Sequence, residues 1–454
     1  MNSATKIFIV SFFLYFFSWV LIYNLKINTL AIQSEDSLPA MFLPVAIIKD
    51  HTFYLDRYYG MMTQRYPHPD DKNYLLGLTP FYLKKVGNHY LSAFPVMTAF
   101  LATLVYFGPV TFGMPITWEN LIFLSHVASA LIVALSGGLL FLLLRKHFNL
   151  GLKKSYLVCA IYLFGTINYA LASQALWQHG SVQLFLILTI YFWMEVQKRP
   201  LAKNFFLYGL FSGLSILSRP TALLPVFLTA AYLIFFSRKK LREIAKPTST
   251  FMLGILICLA FFVWYNKTYY IDLSNQGYSS QLVTNWLSPF PVSFLGVWFS
   301  PSKGLLIYSP VFIFSIIGSA IALRKKDYKY LVFGLIVFLH TLVISFWKHW
   351  YGGWSFGYRM SSDIIPFLVL MLIPFLESNY FYKFRYLFIA SVAFSVLVEV
   401  FGIVFFDGIW HAAYDQGFKN TSWLWSIKDS ELMFDIRRVL VKLGYLQRAC
   451  PKCF

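Results

Sequence analysis

Eleven stretches of this chain are apolar over close to the roughly 20 residues that a helix needs to cross a bilayer. They lie near 7–25, 119–144, 155–172, 180–196, 204–218, 221–236, 249–265, 304–323, 330–347, 361–376 and 386–406. Lipid offers no partner to a peptide N–H or C=O, so such stretches fold as helices that satisfy their own backbone. The pattern predicts an all-α polytopic membrane protein, a bundle of eleven transmembrane helices. Hydrophobic residues make up 58% of the chain and charged residues 13%, which excludes a soluble globular fold. A formal charge of +19 would suggest nucleic acid as the partner of a soluble chain. Here basic loops gathered on one side of a membrane account for it.

Those loops set the expected topology. Arg145, Lys146, Lys153 and Lys154 flank one tight loop, and Lys198, Arg199 and Lys203 another. Arg238, Lys239, Lys240, Arg242 and Lys246 follow, then Arg324, Lys325, Lys326 and Lys329, then Lys383 and Arg385. With Lys6 they hold half of the 38 Lys and Arg residues. They share one side if 91–110, bent at Pro95 and Pro109, is interfacial or re-entrant rather than a twelfth span. The N-terminus is then cytoplasmic and the C-terminus external. Residues 1–406 form one integral membrane module with a long external first loop, about 26–118, and 407–454 form a short external tail. Lys6 precedes the apolar run Ile7–Tyr23, which is long enough to remain as an anchor, and no cleavable signal peptide is evident. The cytoplasmic loops are too short for a nucleotide-binding domain, and neither a Walker-type phosphate loop nor a G-x-G-x-x-G fingerprint occurs. Cys159 and Cys258 fall inside apolar segments as core thiols, and Cys450-Pro-Lys-Cys453 lacks the second pair that a zinc site needs.

Chemistry-bearing residues collect outside the spans. Ser34-Glu35-Asp36-Ser37 lies just past the first span. Leu38, Met41, Phe42, Val45 and Ile48 follow at helical spacing. Ser37 is expected to cap that helix, Pro39 to sit in its first turn and Pro44 to kink it. The helix dipole favours ionised carboxylates at this end. A carboxylate at a membrane–water boundary can act as a base, ligate a cation or bind a sugar. The plain alternative is a pair of ordinary N-terminal helix charges. The two acids can hold one divalent cation, external acids are too few to show a full oxygen shell, and metal dependence stays open with no other cofactor called for.

The stretch Trp350-Tyr-Gly-Gly-Trp-Ser-Phe-Gly-Tyr-Arg359 is a poor helix and a poor strand. It suits close backbone approach to a ligand, with Arg359 as an anion fork, or a tight external turn with Arg359 snorkelling to head groups. Trp350, Trp354 and Tyr358, with Trp177, are candidates to line a substrate, against the alternative of an interfacial aromatic belt. Arg219 and Lys303 stand at outer helix ends, as head-group contacts or as ligands of a lipid-linked phosphate. His179 follows Trp177 at a helix start. Glu399 is the sharpest charge within a span, facing a polar partner or a cavity. His126 and His340 fit a polar bundle interior.

These features together resemble the GT-C membrane glycosyltransferases, in the protein mannosyltransferase and aminoarabinose transferase branch. The resemblance rests on the acidic pair after the first span, the long first loop and the basic outer residues. It also rests on Ser300-Pro-Ser-Lys-Gly-Leu-Leu-Ile-Tyr-Ser-Pro310, on 350–359 and on Leu176-Trp-Gln-His-Gly180. It implies a transferase that moves a sugar from a polyprenyl-phosphate donor to a glycan, lipid or protein acceptor. It implies action at the external face of a prokaryotic cytoplasmic membrane. The family's catalytic base carries over to Asp36, with Glu35 as runner-up. The family's second acid usually follows the aspartate, whereas here Ser37 follows and Glu35 precedes. Arg359, Lys348 and Arg219, with Lys303 and His179, are the candidates to hold the donor phosphate. Attack opposite the leaving phosphate would invert the anomeric centre. A lipid or oligosaccharide transporter and an envelope polysaccharide polymerase are the competing classes. The transporter would be expected to carry inverted repeats, and the polymerase a long loop late in the chain.

Overall fold

The computed structural model describes residues 2–25, 34–72, 76–236, 241–273 and 285–446. Arg238, Lys239 and Lys240, residues 274–284 of the expected loop before Lys303, and Cys450 and Cys453 lie outside the described residues, as do the side chains of Arg242 and Lys246. Among the described residues, seven helices are long and apolar enough to cross a membrane. They are Ser3–Asn24, Trp118–His147, Gln178–Lys198, Thr248–Tyr269, Tyr328–Phe346, Arg359–Leu376 and Asn379–Phe405.

The other four apolar segments form shorter or broken helices. The 204–218 segment is the 17-residue helix Ala202–Ser218. The 221–236 segment starts with a 3₁₀ turn, Pro220–Ala222, and continues as Leu223–Phe236. The 304–323 segment breaks at Ser309 into Leu305–Tyr308 and Ile313–Arg324, because Pro310 has no N–H to continue the ladder. The 155–172 segment stops at Phe164 and resumes as a π turn, Asn168–Ala172. Thr166 Oγ1 and Asn168 Nδ2 both donate to the Tyr162 carbonyl, at 2.7 and 3.1 Å. Side chains that take a backbone acceptor in this way compete with the helix for it.

The 91–110 stretch divides. Leu83–Val86 and His89–Ser92 pair antiparallel, with Val86 opposite His89 and Gly87 at φ +58° in the two-residue turn. The 15-residue helix Met97–Thr111 follows. It is about 22 Å long, short of the roughly 30 Å hydrocarbon core.

The chain forms two compact units. One comprises Met1–Ala31, Leu140–Leu171 and Asn285–Phe454, the other Ile32–Leu139 and Ala172–Thr284. In the second unit, helices Ala202–Ser218 and Leu241–Tyr269 approach until backbone meets backbone. A Cβ on Gly209 would lie 2.0 Å from the Phe251 carbonyl oxygen, one on Gly254 2.4 Å from that of Phe206, and one on Gly213 2.6 Å from Cys258 Sγ. Close approach through small residues is how helices gain packing where lipid supplies no hydrophobic drive. In the first unit, the 407–446 segment folds back. Trp410, Trp423, Leu424 and Phe434 share a core with Val297, Ile344, Trp350 and Tyr351.

Gly209→Leu puts a side chain where a main chain already lies, and is expected to destabilise by more than about 2 kcal/mol in detergent unfolding. Gly334→Ala, whose new Cβ would meet only Ser319 Oγ at 3.6 Å, serves as the tolerated control. Equal stability of the two variants would contradict this account of the helix crossing.

Candidate functional site

The acidic pair lies in the second unit. Glu35–Ser37 make a 3₁₀ turn ahead of helix Leu38–Val45. Ser37 is not the cap expected of it. The turn gives it helical φ and ψ of −83° and −13°, and its hydroxyl donates back to the Ser34 carbonyl at 2.8 Å. The extended residue is Ser34, whose Oγ accepts the Asp36 N–H at 3.4 Å. Past Pro44 the helix widens into a π turn, Ala46–Asp50, and ends at His51 with φ +49°. Glu35 and Asp36 are both half-buried. Burial pushes the Glu35 carboxyl above its ordinary value. Its own backbone hydrogen bond pulls it down, and the Asp36 charge adds a further push upward.

Asp36 lines a small pocket with Leu43, Ser92, Phe94, Leu176 and Gln178. The acidic turn therefore meets the Leu176–Gly180 stretch, which the sequence singled out separately. One residue on, His179 accepts a hydrogen bond from Arg219 Nη1 at its Nδ1. Arg219 Nη1 also lies 3.1 Å from His179 Nε2, so the imidazole orients the guanidinium. Both residues are buried, at 4% and 7% exposure, so Arg219 is no open head-group contact. Trp177 is also buried, its ring 6.2 Å from that of His179. A larger apolar cavity of about 420 Å³ is lined by Met97, Ile216, Leu217, Pro220, Phe262 and Asn266, among others. It shares Phe94, Pro95 and Val96 with the Asp36 pocket.

The glycine-rich loop lies in the first unit, and most of its aromatics are core. Trp350 is 2% exposed and packs where a Cβ on Gly296 would sit. Phe356 fills the same role against Gly402. Tyr358 is buried, its hydroxyl 2.8 Å from Ser309 Oγ and accepting the Ile167 N–H at 3.2 Å. Trp350 and Tyr358 are thus packed inside this unit, Trp350 against Gly296 and Tyr358 against Ser309 and Ile167. Trp354 alone of the named aromatics is open, 48% exposed. Its Nε1 donates to Asp415 Oδ2 at 2.9 Å and its ring stacks on His411. Arg359 and Lys348 are half-buried, and Lys348 Nζ lies 5.4 Å from the Phe418 ring centroid.

Lys303 turns inward. It is 2% exposed, donates to the Ser355 carbonyl, and reaches Glu431 Oε2 at 3.2 Å. Burial pushes its ammonium below the ordinary value, against the pull of Glu431. Burial likewise raises Glu431, against the pull of Lys303. Sequence reasoning missed Glu431, Asp435 and Arg438. Their spacing of four and three residues on one amphipathic helix, Glu431–Lys442, was the available signal. Glu399 is fully buried, and its Oε2 accepts the Ala170 N–H at 3.3 Å. His340 Nε2 lies 3.5 Å from Asp363 Oδ2, and His126 Nδ1 2.9 Å from the Ile122 carbonyl. Among the described residues, no group of three or more His, Cys, Asp and Glu side chains could hold a metal ion.

Residues 95–265 match the family model described as dolichyl-phosphate-mannose-protein mannosyltransferase. That stretch is less than half of the chain. It contains His179, Arg219 and most of the lining of the apolar cavity, and it excludes Asp36 and Arg359. No curated protein matches the chain.

Asp435 gives a test of the buried charge cluster. It is pushed up to about 8, by burial first and Glu431 second, while Arg438 pulls the other way from 3.4 Å. An unfolded aspartate titrates near 3.8. The folded protein holds this proton where the unfolded chain has lost it. The group's contribution to stability is therefore full below that lower value and drains as pH rises through about 8. Between about pH 6 and pH 9 the wild type is expected to lose more thermal stability than Asp435→Asn. Equal losses would contradict the assignment.

Proposed function

We propose that this chain, a member through residues 95–265 of the dolichyl-phosphate-mannose-protein mannosyltransferase family of membrane glycosyltransferases, moves a sugar from its polyprenyl-phosphate donor with Asp36 as the catalytic base. The supporting observation is that two spaces adjoin. The pocket that Asp36 lines shares three residues with an apolar cavity large enough to take part of a prenyl chain. A donor with its lipid in that cavity presents its sugar to the carboxylate.

The chemistry then follows. The acceptor hydroxyl gives its proton to the Asp36 carboxylate as its oxygen bonds to the anomeric carbon. The bond from that carbon to the phosphate oxygen breaks, and the electron pair leaves with the polyprenyl phosphate. Attack from the face opposite the phosphate inverts the anomeric centre. Charge grows on the leaving phosphate, so the site needs a cation there. Arg219, oriented by His179, is our candidate in this unit. Arg359 and Lys348, in the other unit, are the alternative candidates for that lipid-linked phosphate. Trp354 offers the substrates an open aromatic face. Glu35 sits beside the base, where its raised affinity for protons suits it to relay the proton onward. The one-sided basic loops support an N-terminus in the cytoplasm, eleven spans, and a reaction at the external face.

Asp36→Asn keeps size and hydrogen bonding and removes the charge. It is expected to fold, to bind donor lipid, and to lose at least about 100-fold in turnover. Glu35→Gln is expected to be milder. Near-normal transfer by Asp36→Asn together with loss in Glu35→Gln would exchange the two roles. Full activity in both would remove the base from this turn.

A further inference from the structure

The glycine-rich loop has few bonds of its own: the Ser355 N–H donates to the Gly353 carbonyl at 2.9 Å and Ser355 Oγ to the Gly352 carbonyl at 3.2 Å. Gly352, Gly353 and Gly357 all stand at positive φ, at +88°, +61° and +56°. Glycine reaches such values without steric cost, and it loses more freedom on ordering than any other residue. Contacts from outside the loop add to that hold. Two backbone groups on either side of Phe356 are tied to the same place. The Ser355 carbonyl accepts from Lys303 Nζ, and the Gly357 N–H donates to Glu431 Oε2 at 3.2 Å. The same carboxylate meets Lys303 Nζ and, at 2.9 Å, the Tyr308 hydroxyl. One side chain from the C-terminal segment thus joins the Ser300–Gly304 turn, helix Leu305–Tyr308 and the loop.

Energetics argue that this tie is more than packing. The Lys303 and Glu431 side chains are each 1% exposed. Burying two charges costs so much desolvation that well-packed apolar residues often serve stability as well or better. What an ion pair adds is a defined geometry, as when a buried polar group fixes register. The geometry in question is that of residues 352–358, which lead directly into Arg359. A Cβ on Gly352 would lie 3.2 Å from Arg359 Cβ, so the loop packs against the arginine as well as preceding it.

We infer that Glu431 is a positioning residue: with Lys303 it fixes the glycine-rich loop and, through it, the direction of Arg359. This rests on the reading above that Arg359 grips an anionic substrate group. It makes the C-terminal segment a working part of that grip, where the sequence offered only a short tail.

The test uses the full-length protein in detergent, with two double variants that leave no buried ion alone. Lys303→Met with Glu431→Gln keeps an acceptor for the Gly357 N–H, whereas Lys303→Met with Glu431→Met removes it. Hydrogen–deuterium exchange over 350–358 reads the loop without any reaction. Binding of undecaprenyl phosphate, by native mass spectrometry, reads the grip. The methionine pair is expected to speed loop exchange about tenfold or more and to weaken lipid-phosphate binding about tenfold. The glutamine-containing pair is expected to return loop exchange to within about threefold of wild type. Arg359→Lys added to the methionine pair is expected to weaken binding little further, since residues acting in one chain of contacts are not additive. Unchanged loop exchange in the methionine pair, or a loosened loop with unchanged binding, would overturn the inference. So would equal behaviour of the two pairs. Failure of wild type to bind undecaprenyl phosphate would count against the donor assignment, while loop exchange would still decide whether Glu431 holds the loop.

Discussion

Inside a bilayer, a peptide group that leaves its helix has no water to turn to. Other side chains meet what the break after Phe164 frees. Ser309 Oγ donates to the Gly165 carbonyl at 3.0 Å. Tyr358 takes the Ile167 N–H and Glu399 the Ala170 N–H. Thr166 and Asn168 occupy the Tyr162 carbonyl. Five side chains from four stretches of chain converge on one interruption, and that accounts for a carboxylate deep in the last long helix. Glu399 carries a structural duty here. A broken helix also offers what an unbroken one cannot, because its irregular backbone can line a site.

The same demand for partners shapes the cations. Arg219 donates to the His179 imidazole within its own unit. Lys303 is paired with Glu431 and wrapped by the C-terminal segment, and its charge serves the loop. Two residues that look alike in sequence, each basic and each at the end of an apolar helix, thus serve differently. The difference lies in their partners, one forty residues earlier and one 128 residues later.

Much of the fold was legible because hydropathy over about 20 residues reports what lipid requires. The seven long helices coincide with apolar runs. The breaks were illegible, since a hydropathy window is blind to Thr166 and Asn168 competing for one carbonyl. The acidic pair could be seen, but its cap could not: a 3₁₀ turn moves the extended residue from Ser37 to Ser34 without changing the pattern around it. In the glycine-rich loop, residue type could not separate open Trp354 from buried Trp350 and Tyr358. That distinction depends on Gly296 and on Ser309, which lie tens of residues away in the chain. The role of Glu431 was hidden for the same reason.

Donor chemistry is the centre of this account. Purified protein should be offered a polyprenyl-phosphate sugar and, separately, the corresponding nucleotide sugar, with transfer to an acceptor followed by mass spectrometry. Transfer is expected from the lipid-phosphate donor with no nucleotide present, and none from the nucleotide sugar. Transfer from the nucleotide sugar alone would contradict it.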